Sequence, residues 1–386
     1  MLRVLHTADV HLGARHADLG AQATAQRERQ FAAFRVSIDG AIAEKVDLVL
    51  IAGDLFDSNV QPRRSVERVA AELKRLADAR IRTVIIPGTH DVYDRASIYR
   101  AHDLPKLAGA DGTDLVTILT PERQSIRFEA LDATVHARVF ATKRAPQSPL
   151  EAFDISGDSS TWQIGMIHGS IAIPKQTEHD EVVITTEEIA ASKLDYLALG
   201  HWHSSQHGTA GGTVYAYPGA PEPVALDQDR AGNVLLVTLE VKNSVHEVRF
   251  EEVRVGRTRF EKVEIDAAKL ASQPALIESL ARRADKDLVL DVRLIGVRPD
   301  ALDIQPEEVE ADLADRFLKV RVRDRSVPAL TEGPLPSEDT ILGSFVREVQ
   351  ATIAELEAAD GEDASTEARD VLRLGRLLLA GEEVTL

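Results

Sequence analysis

The 386-residue sequence contains no cysteine. Disulfides are therefore excluded, and nothing in the chain calls for an oxidising compartment. No apolar run reaches the length of a membrane span. The first residues enter a strand-like stretch and Asp9, with no charged segment followed by a long apolar one, so the pattern predicts a cytoplasmic protein with no membrane association. Concentrated positive charge is also missing: the formal net charge is −18, and no basic run amounts to a duplex-binding signature. The deficit is uneven, because residues 1–150 hold 21 Lys+Arg against 19 Asp+Glu, whereas the remainder holds 24 against 44. The length allows two or three domains and a sizeable core.

What is present is a set of five short segments, each closing an apolar run with residues of metal-ligand type. They are Asp9-Val10-His11, Gly53-Asp54-Leu55-Phe56-Asp57, Gly88-Thr89-His90-Asp91, Ile167-His168-Gly169 and Gly200-His201-Trp202-His203. The runs before them, 2–5, 46–52, 81–87, 164–167 and 196–199, are rich in Val, Ile and Leu and suit strands buried on both faces. Ligands collect beyond the carboxyl ends of such strands, so five ends are expected to converge on one cleft.

The residue types define a chemistry. Carboxylates supply negative charge and bridge cations, while neutral imidazoles bind divalent transition metals. The mixture favours manganese, iron or zinc over calcium or magnesium. Two such ions bind a phosphoryl oxygen, generate a hydroxide at neutral pH and stabilise the attacking and leaving oxygens of a displacement, with no covalent intermediate. Cations bound there also lift the local potential that the acidic composition lowers.

The order D-x-H, G-D-x-x-D, G-x-H-D, a later His and G-H-x-H resembles that of the calcineurin-like metallophosphoesterases. Within them, residues 2–13 (LRVLHTADVHLG) and 197–203 (LALGHWH) are similar to the SbcD-type nuclease subunits of DNA repair, in order over about the first 250 residues. The resemblance implies an α/β fold, a four-layer sandwich of two β-sheets flanked by helices, with a small α/β capping domain and C-terminal helices. It implies one metal held by Asp9, His11, Asp54 and His203, and a second held by Asp54 as bridge, position 89, His168 and His201. His90 would face the scissile phosphate as a catalytic residue, and Asp57 would orient His90. Two divalent ions follow as cofactors, Mn2+ first, with Fe2+ or Zn2+ as alternatives.

Thr89 departs from the family pattern, which has Asn there. A threonine hydroxyl is shorter than an asparagine carbonyl and donates less electron density. One reading is a variant that works at higher manganese concentration; the other is a site drifting towards one metal or none. The remaining histidines, His6, His16, His102, His136, His179, His207 and His246, lack a surrounding block and read as structural or solvated. Gly88 and Gly200 read as turn residues. Trp202 reads as packing beside the site, and Arg63 and Arg64 read either as phosphate contacts or as solvated positions at a helix start.

Further strands are expected at 234–241 and 247–253, completing a first domain over 1–255. At 256–330 the pattern alternates: strands at 259–265, 288–294 and 318–322 and a helix at 275–283 suggest the capping domain. A helical stripe of Ile341, Leu342, Phe345, Val346, Val349 and Ile353 then opens a C-terminal region, 337–386, with Ser337 as N-cap and Glu338 and Asp339 in the first turn. A second helix carries Val371, Leu372, Leu374, Leu378 and Leu379. These helices either pack on their own domain or, as the resemblance implies, bind an SMC-like ATPase of SbcC type.

Three functions fit these readings. The first is a DNA nuclease, a 3′–5′ exonuclease and single-strand endonuclease acting on DNA ends, with a homodimer allowed. The second is a phosphodiesterase for nucleotides or other small substrates. The third, motivated by Thr89, is a weakly active scaffold subunit.

Overall fold

Leu48–Ala52 is buried at every position, as expected of a strand covered on both faces, and it lies near the middle of a six-stranded sheet. The computed structural model describes residues 1–16, 22–177, 179–223, 228, 230–299, 301–328, 337–360 and 366–380. In space the sheet runs Val245–Arg254, Asn233–Lys242, Leu2–Thr7, Leu48–Ala52, Arg82–Ile86 and Val116–Ile118. The last four strands are parallel. The helices Ala23–Ala43 and Arg63–Asp78 fall between the first three of them in the chain. The first two strands form an antiparallel hairpin, closed by Asn243 and Ser244, both with positive φ, a conformation that matches strand twist in a two-residue loop.

A second six-stranded sheet runs Gln206–Ala210, Thr213–Tyr217, Tyr196–Gly200, Trp162–His168, Ala133–Ala137 and Ser125–Phe128. Its four inner strands are parallel, and the two edges antiparallel. Strand alternation decides what each side chain meets. Leu48, Leu50 and Ala52 join Ile164, Met166, Tyr196 and Ala198 in a core between the sheets. Val49 and Ile51 turn the other way, onto Phe34, Ile38, Val69 and Leu73 of the two helices. Each fully buried aliphatic side chain of this kind contributes roughly 1.5–3 kcal/mol by removal from water. On the far side, Leu197 and Leu199 pack on Ile189 of the helix Thr186–Ser192. The layers are helix, sheet, sheet, helix.

The chain divides into compact units at Thr258 and Arg259, three residues beyond the expected end of the first domain. In the second unit, Arg259–Asp266, Asp285–Ile295 and Phe317–Asp324 form a three-stranded parallel sheet. Its apolar side chains share a core with Leu276 and Leu280 of helix Gln273–Ala281 and with Val309 and Leu313 of helix Pro306–Leu313. The C-terminal helices are Ile341–Asp360 and Thr366–Ala380. Gly375 of the second leaves room for the ring of Phe345 on the first. The expected cap is corrected: Thr340, not Ser337, accepts the Gly343 N–H at 3.0 Å, while Ser337 belongs to the turn before it, where its carbonyl accepts the Thr340 N–H. Among the described residues, no helix is long and apolar enough to cross a membrane.

Between the sheets, fully buried His6 meets the Tyr196 hydroxyl at 2.8 Å. Burial pushes its imidazole down to about 3, against a smaller pull from the Leu199 backbone. In the unfolded chain the same ring titrates near 6.5. The unfolded state therefore binds a proton that the folded state refuses, so this contribution is complete above pH 6.5 and is lost as pH falls towards 3. In His6→Gln, which keeps a partner for Tyr196, the loss of stability between pH 6.5 and 4.5 should be shallower by about one proton, roughly 1.4 kcal/mol per pH unit. Urea denaturation followed by fluorescence reads this out, because both tryptophans, Trp162 and Trp202, lie in the first unit. Parallel pH profiles for the two proteins would contradict it.

Candidate metal centre

All five segments lie at or just past carboxyl strand ends. Asp9 and Asp54 follow Leu2–Thr7 and Leu48–Ala52 by two residues, Gly88–Asp91 follows Arg82–Ile86, His168 ends Trp162–His168, and His201 follows Tyr196–Gly200. Three strands of one sheet and two of the other thus deliver their ends to one place. The turns are sharp: Asp9, His11, Asp54 and His201 all have positive φ, at 53°, 49°, 50° and 104°. For non-glycine residues this costs on the order of 1–3 kcal/mol each, and such strain concentrates at functional sites.

Gly53 also has positive φ, and a Cβ there would lie 2.2 Å from His168 Nδ1. Gly88 and Gly200 differ from the turn reading. Neither is among the positive-φ glycines, and each instead allows a close approach. A Cβ at Gly88 would lie 2.3 Å from Asp54 Oδ1, and one at Gly200 would lie 2.0 Å from the Ala52 carbonyl oxygen.

Asp54 is central. Its Oδ2 lies 3.1 Å from His168 Nε2 and 3.7 Å from His11 Nε2, while its Oδ1 accepts the His90 N–H at 2.7 Å. Asp9 accepts the His201 N–H with both oxygens at 3.0 Å. His11 and His203 point their Nε2 atoms at each other, 3.1 Å apart. Asp9, His11 and His203 form one potential ligand group, Asp9, Asp54 and His168 a second, and His11, Asp57 and His90 a third. His201 stands outside all three, with its ring edge-on to His168 at 5.3 Å. Thr89 is buried, and its hydroxyl lies 3.5 Å from Asp54 Oδ2.

The donor set fits divalent cations. His168 Nε2 is buried without a hydrogen bond of good geometry among the described residues, yet it faces the Asp54 carboxylate. Burial holds His201 at about 4 and His203 at about 3, so both are neutral at physiological pH, the form that ligates. Burial likewise raises the Asp9 carboxyl to about 6, against the pull of His168. Burial also disfavours a charged His168, but Asp54, then Asp9 and the Ala52 carbonyl, lift it to about 10. Two buried carboxylates thus draw positive charge into the cavity, and a bound ion supplies it directly.

Asp57 lies against two histidines, the expected His90 and also His11. Its Oδ1 lies 3.2 Å from His11 Nδ1 and 3.8 Å from His90 Nδ1, so the carboxylate steadies His11. The His90 ring nitrogen instead meets the Asp57 backbone carbonyl at 3.0 Å. The His90 side chain is 44% exposed, more than any other described ligand candidate, and its ring stands edge-on to His11 at 4.6 Å.

Supports without an assigned role in the sequence emerge as well. Buried Asp91 accepts the Gly88 and Phe56 N–H groups and the Tyr99 hydroxyl, at 2.7, 3.1 and 2.5 Å, tying two ligand loops together. Gln228 approaches His203, and it lies in no motif that would have flagged it. Trp202 packs beside the site as expected, stacked on Tyr217 at 4.8 Å and donating to Ser170. Outside the centre, His16, His136 and His246 are hydrogen-bonded to Gln30, Gln163 and Asp195, consistent with structural roles.

The family model described as calcineurin-like phosphoesterase matches residues 2–205. The chain belongs to that family. This metallophosphoesterase is similar to the DNA double-strand break repair protein Mre11 of Aeropyrum pernix, 29% identical over 285 residues, covering 69% of this chain and 64% of that one. It resembles Mre11 of Methanopyrus kandleri at 27% over 391 aligned positions, covering 93% and 80%. The uncharacterized metallophosphoesterase YhaO of Bacillus subtilis is 25% identical over 314 residues, covering 78% and 73%. The match to the Aeropyrum protein therefore spans less than two thirds of its length.

Thr89→Asn tests the departure from the family pattern. A longer carbonyl ligand should tighten the second ion and lower the manganese concentration for half-maximal activity severalfold, with little change in rate at saturating metal. Superimposed titration curves would show that Thr89 does not limit metal binding.

Proposed function

We propose that this metallophosphoesterase is a binuclear-metal-dependent DNA nuclease that processes DNA ends in repair. The observation that carries the reading is the Asp54 carboxylate, buried and set between His11 and His168, in a chain whose relatives include the Mre11 proteins. One ion would be held by Asp9, His11, Asp54 and His203; the other by Asp54, His168 and His201, with Thr89 beside it. When bound, the pair supplies Lewis acidity for the phosphoryl group and a nucleophile at neutral pH. His90, exposed at the rim with its ring steadied by the Asp57 carbonyl, donates a proton to the leaving oxygen or stabilises its charge. Asp57 holds His11 in the orientation that presents Nε2 inward.

Next to the His11 loop, Leu12 and Gly13 share a cavity of about 360 Å³ with Arg27, Arg64 and Arg68. These guanidinium groups suit a phosphate backbone and offset the acidity of the rest of the chain. Arg68 is paired with Glu28 in the same cavity, as exposed Arg63 is with Glu67 outside it.

The finer reading is a 3′–5′ exonuclease with single-strand endonuclease action, manganese as the working ion, and C-terminal helices that engage an SMC-like ATPase of SbcC type. Exposed Ile341, Val371, Leu378 and Leu379 on those helices support a partner there. Release of acid-soluble nucleotides from linear duplex DNA with manganese, absent with a chelator, is the expected result. Hydrolysis of a small phosphodiester with no release from DNA would favour the nucleotide phosphodiesterase instead. The weakly active scaffold keeps one supporting observation, the short Thr89 side chain in the asparagine position.

A further inference from the structure

We propose that Gln228 is the positioning residue for His203, setting which ring nitrogen carries the proton and so the strength of one metal position. The proposal rests on His203 being a metal ligand, as assigned above, and is independent of the substrate.

Three imidazoles of the centre have their outer nitrogen held by three different kinds of partner. His11 Nδ1 faces the Asp57 carboxylate at 3.2 Å, and His168 Nδ1 faces the Ala52 carbonyl at 3.0 Å. His203 Nδ1 faces the side-chain amide nitrogen, Nε2, of Gln228 at 2.5 Å. Carboxylate and carbonyl can only accept, so they hold the proton on Nδ1 and leave Nε2 free to ligate. An amide can do either. In the orientation present here its NH2 donates to Nδ1, which sets the ring proton on Nε2, the atom that faces His11 Nε2 at 3.1 Å, and in that tautomer ligation is blocked. With the carbonyl end turned to the ring, Gln228 accepts from Nδ1–H and the ligating lone pair points inward. The two ends of the amide interchange by rotation about one bond, so Gln228 selects the metal-competent tautomer through its orientation. As a neutral acceptor it makes His203 a weaker donor than a carboxylate would.

The test uses the full chain, stripped of metal, titrated with Mn2+ alone by calorimetry, together with 15N NMR of the histidine rings. Gln228→Met removes the acceptor at similar length, and Gln228→Glu keeps an acceptor that cannot donate. In the unaltered metal-free protein, the His203 resonances are expected to report a proton on Nε2, shared with His11. In Gln228→Met they should report a mixture of tautomers, with Mn2+ affinity at one of two positions falling about 10- to 100-fold. Gln228→Glu should move the proton to Nδ1 and bind Mn2+ at least as tightly as glutamine. Equal affinity and an unchanged tautomer in Gln228→Met would overturn the proposal, as would equal losses in both variants, which would mark a packing role. Failure of the unaltered chain to bind Mn2+ would overturn the metal assignment, and the proposal with it. Neither readout depends on hydrolysis of DNA.

Discussion

Asp54→Ala is expected to take metal occupancy from two ions to none and hydrolysis to background. Asp54 Oδ2 lies 3.7 Å from His11 Nε2 and 3.1 Å from His168 Nε2, so its loss should remove a ligand from both positions at once. The remaining groups are imidazoles with Asp9, and Asp57 behind His11, to balance incoming positive charge. Asp54 also accepts the His90 N–H, so alanine would release the Gly88–Asp91 loop as well. Asp54→Asn separates these effects, because an amide oxygen still accepts that N–H but lacks the charge of a bridging ligand. Metal analysis after gel filtration should find both variants empty, with Asp54→Asn melting closer to the unaltered apo-protein. Retention of two ions per chain in either variant would contradict the bridging role.

His90→Ala should give the opposite combination: two ions retained and turnover reduced about 10²- to 10⁴-fold, the usual range for loss of a positioned acid or base. The reason is positional. His90 is bound through its backbone to Asp54 and through its ring to the Asp57 carbonyl, while the ring is more exposed than the inward-facing imidazoles. On the proposed reading it meets the substrate; the alternative is ligation beside His11 and Asp57, with which it forms the third potential ligand group. Deletion of the side chain leaves its backbone N–H on Asp54, so the bridging carboxylate should remain in place. The decisive measurement is metal content beside kcat. Loss of an ion in His90→Ala would make His90 a ligand and end its assignment as the acting acid.

Much of this centre was legible before folding because its parts are local. Each ligand lies within a few residues of an apolar strand, and a D-x-H or G-H-x-H segment keeps its spacing wherever the chain goes. The strand positions were equally readable, since runs such as Leu48–Ala52, buried throughout, differ sharply from the alternating strands exposed on one face. Less legible were the partners of the ligands. Asp57 reads from the sequence as a partner of His90, which it touches, but its closer contact, to His11, depends on how the His11 turn, with its positive φ, swings the imidazole towards the neighbouring loop. No residue pattern encodes that angle. The helix cap at Thr340 in place of Ser337 is the same kind of difference, three residues along and decided by which hydroxyl reaches the Gly343 N–H.

The sequence by itself determined the metal-ligand types, their order, the family they resemble and the absence of thiol chemistry, because composition and short-range spacing survive in one dimension. Only the tertiary structure decided that Gly88 and Gly200 serve close approach, that Asp91 and Tyr99 brace two ligand loops, and that Gln228 stands behind His203. The Gln228–His203 and Asp91–Phe56 contacts join residues 25 and 35 positions apart, and like the glycine approaches they exist only once folding has brought the strand ends together.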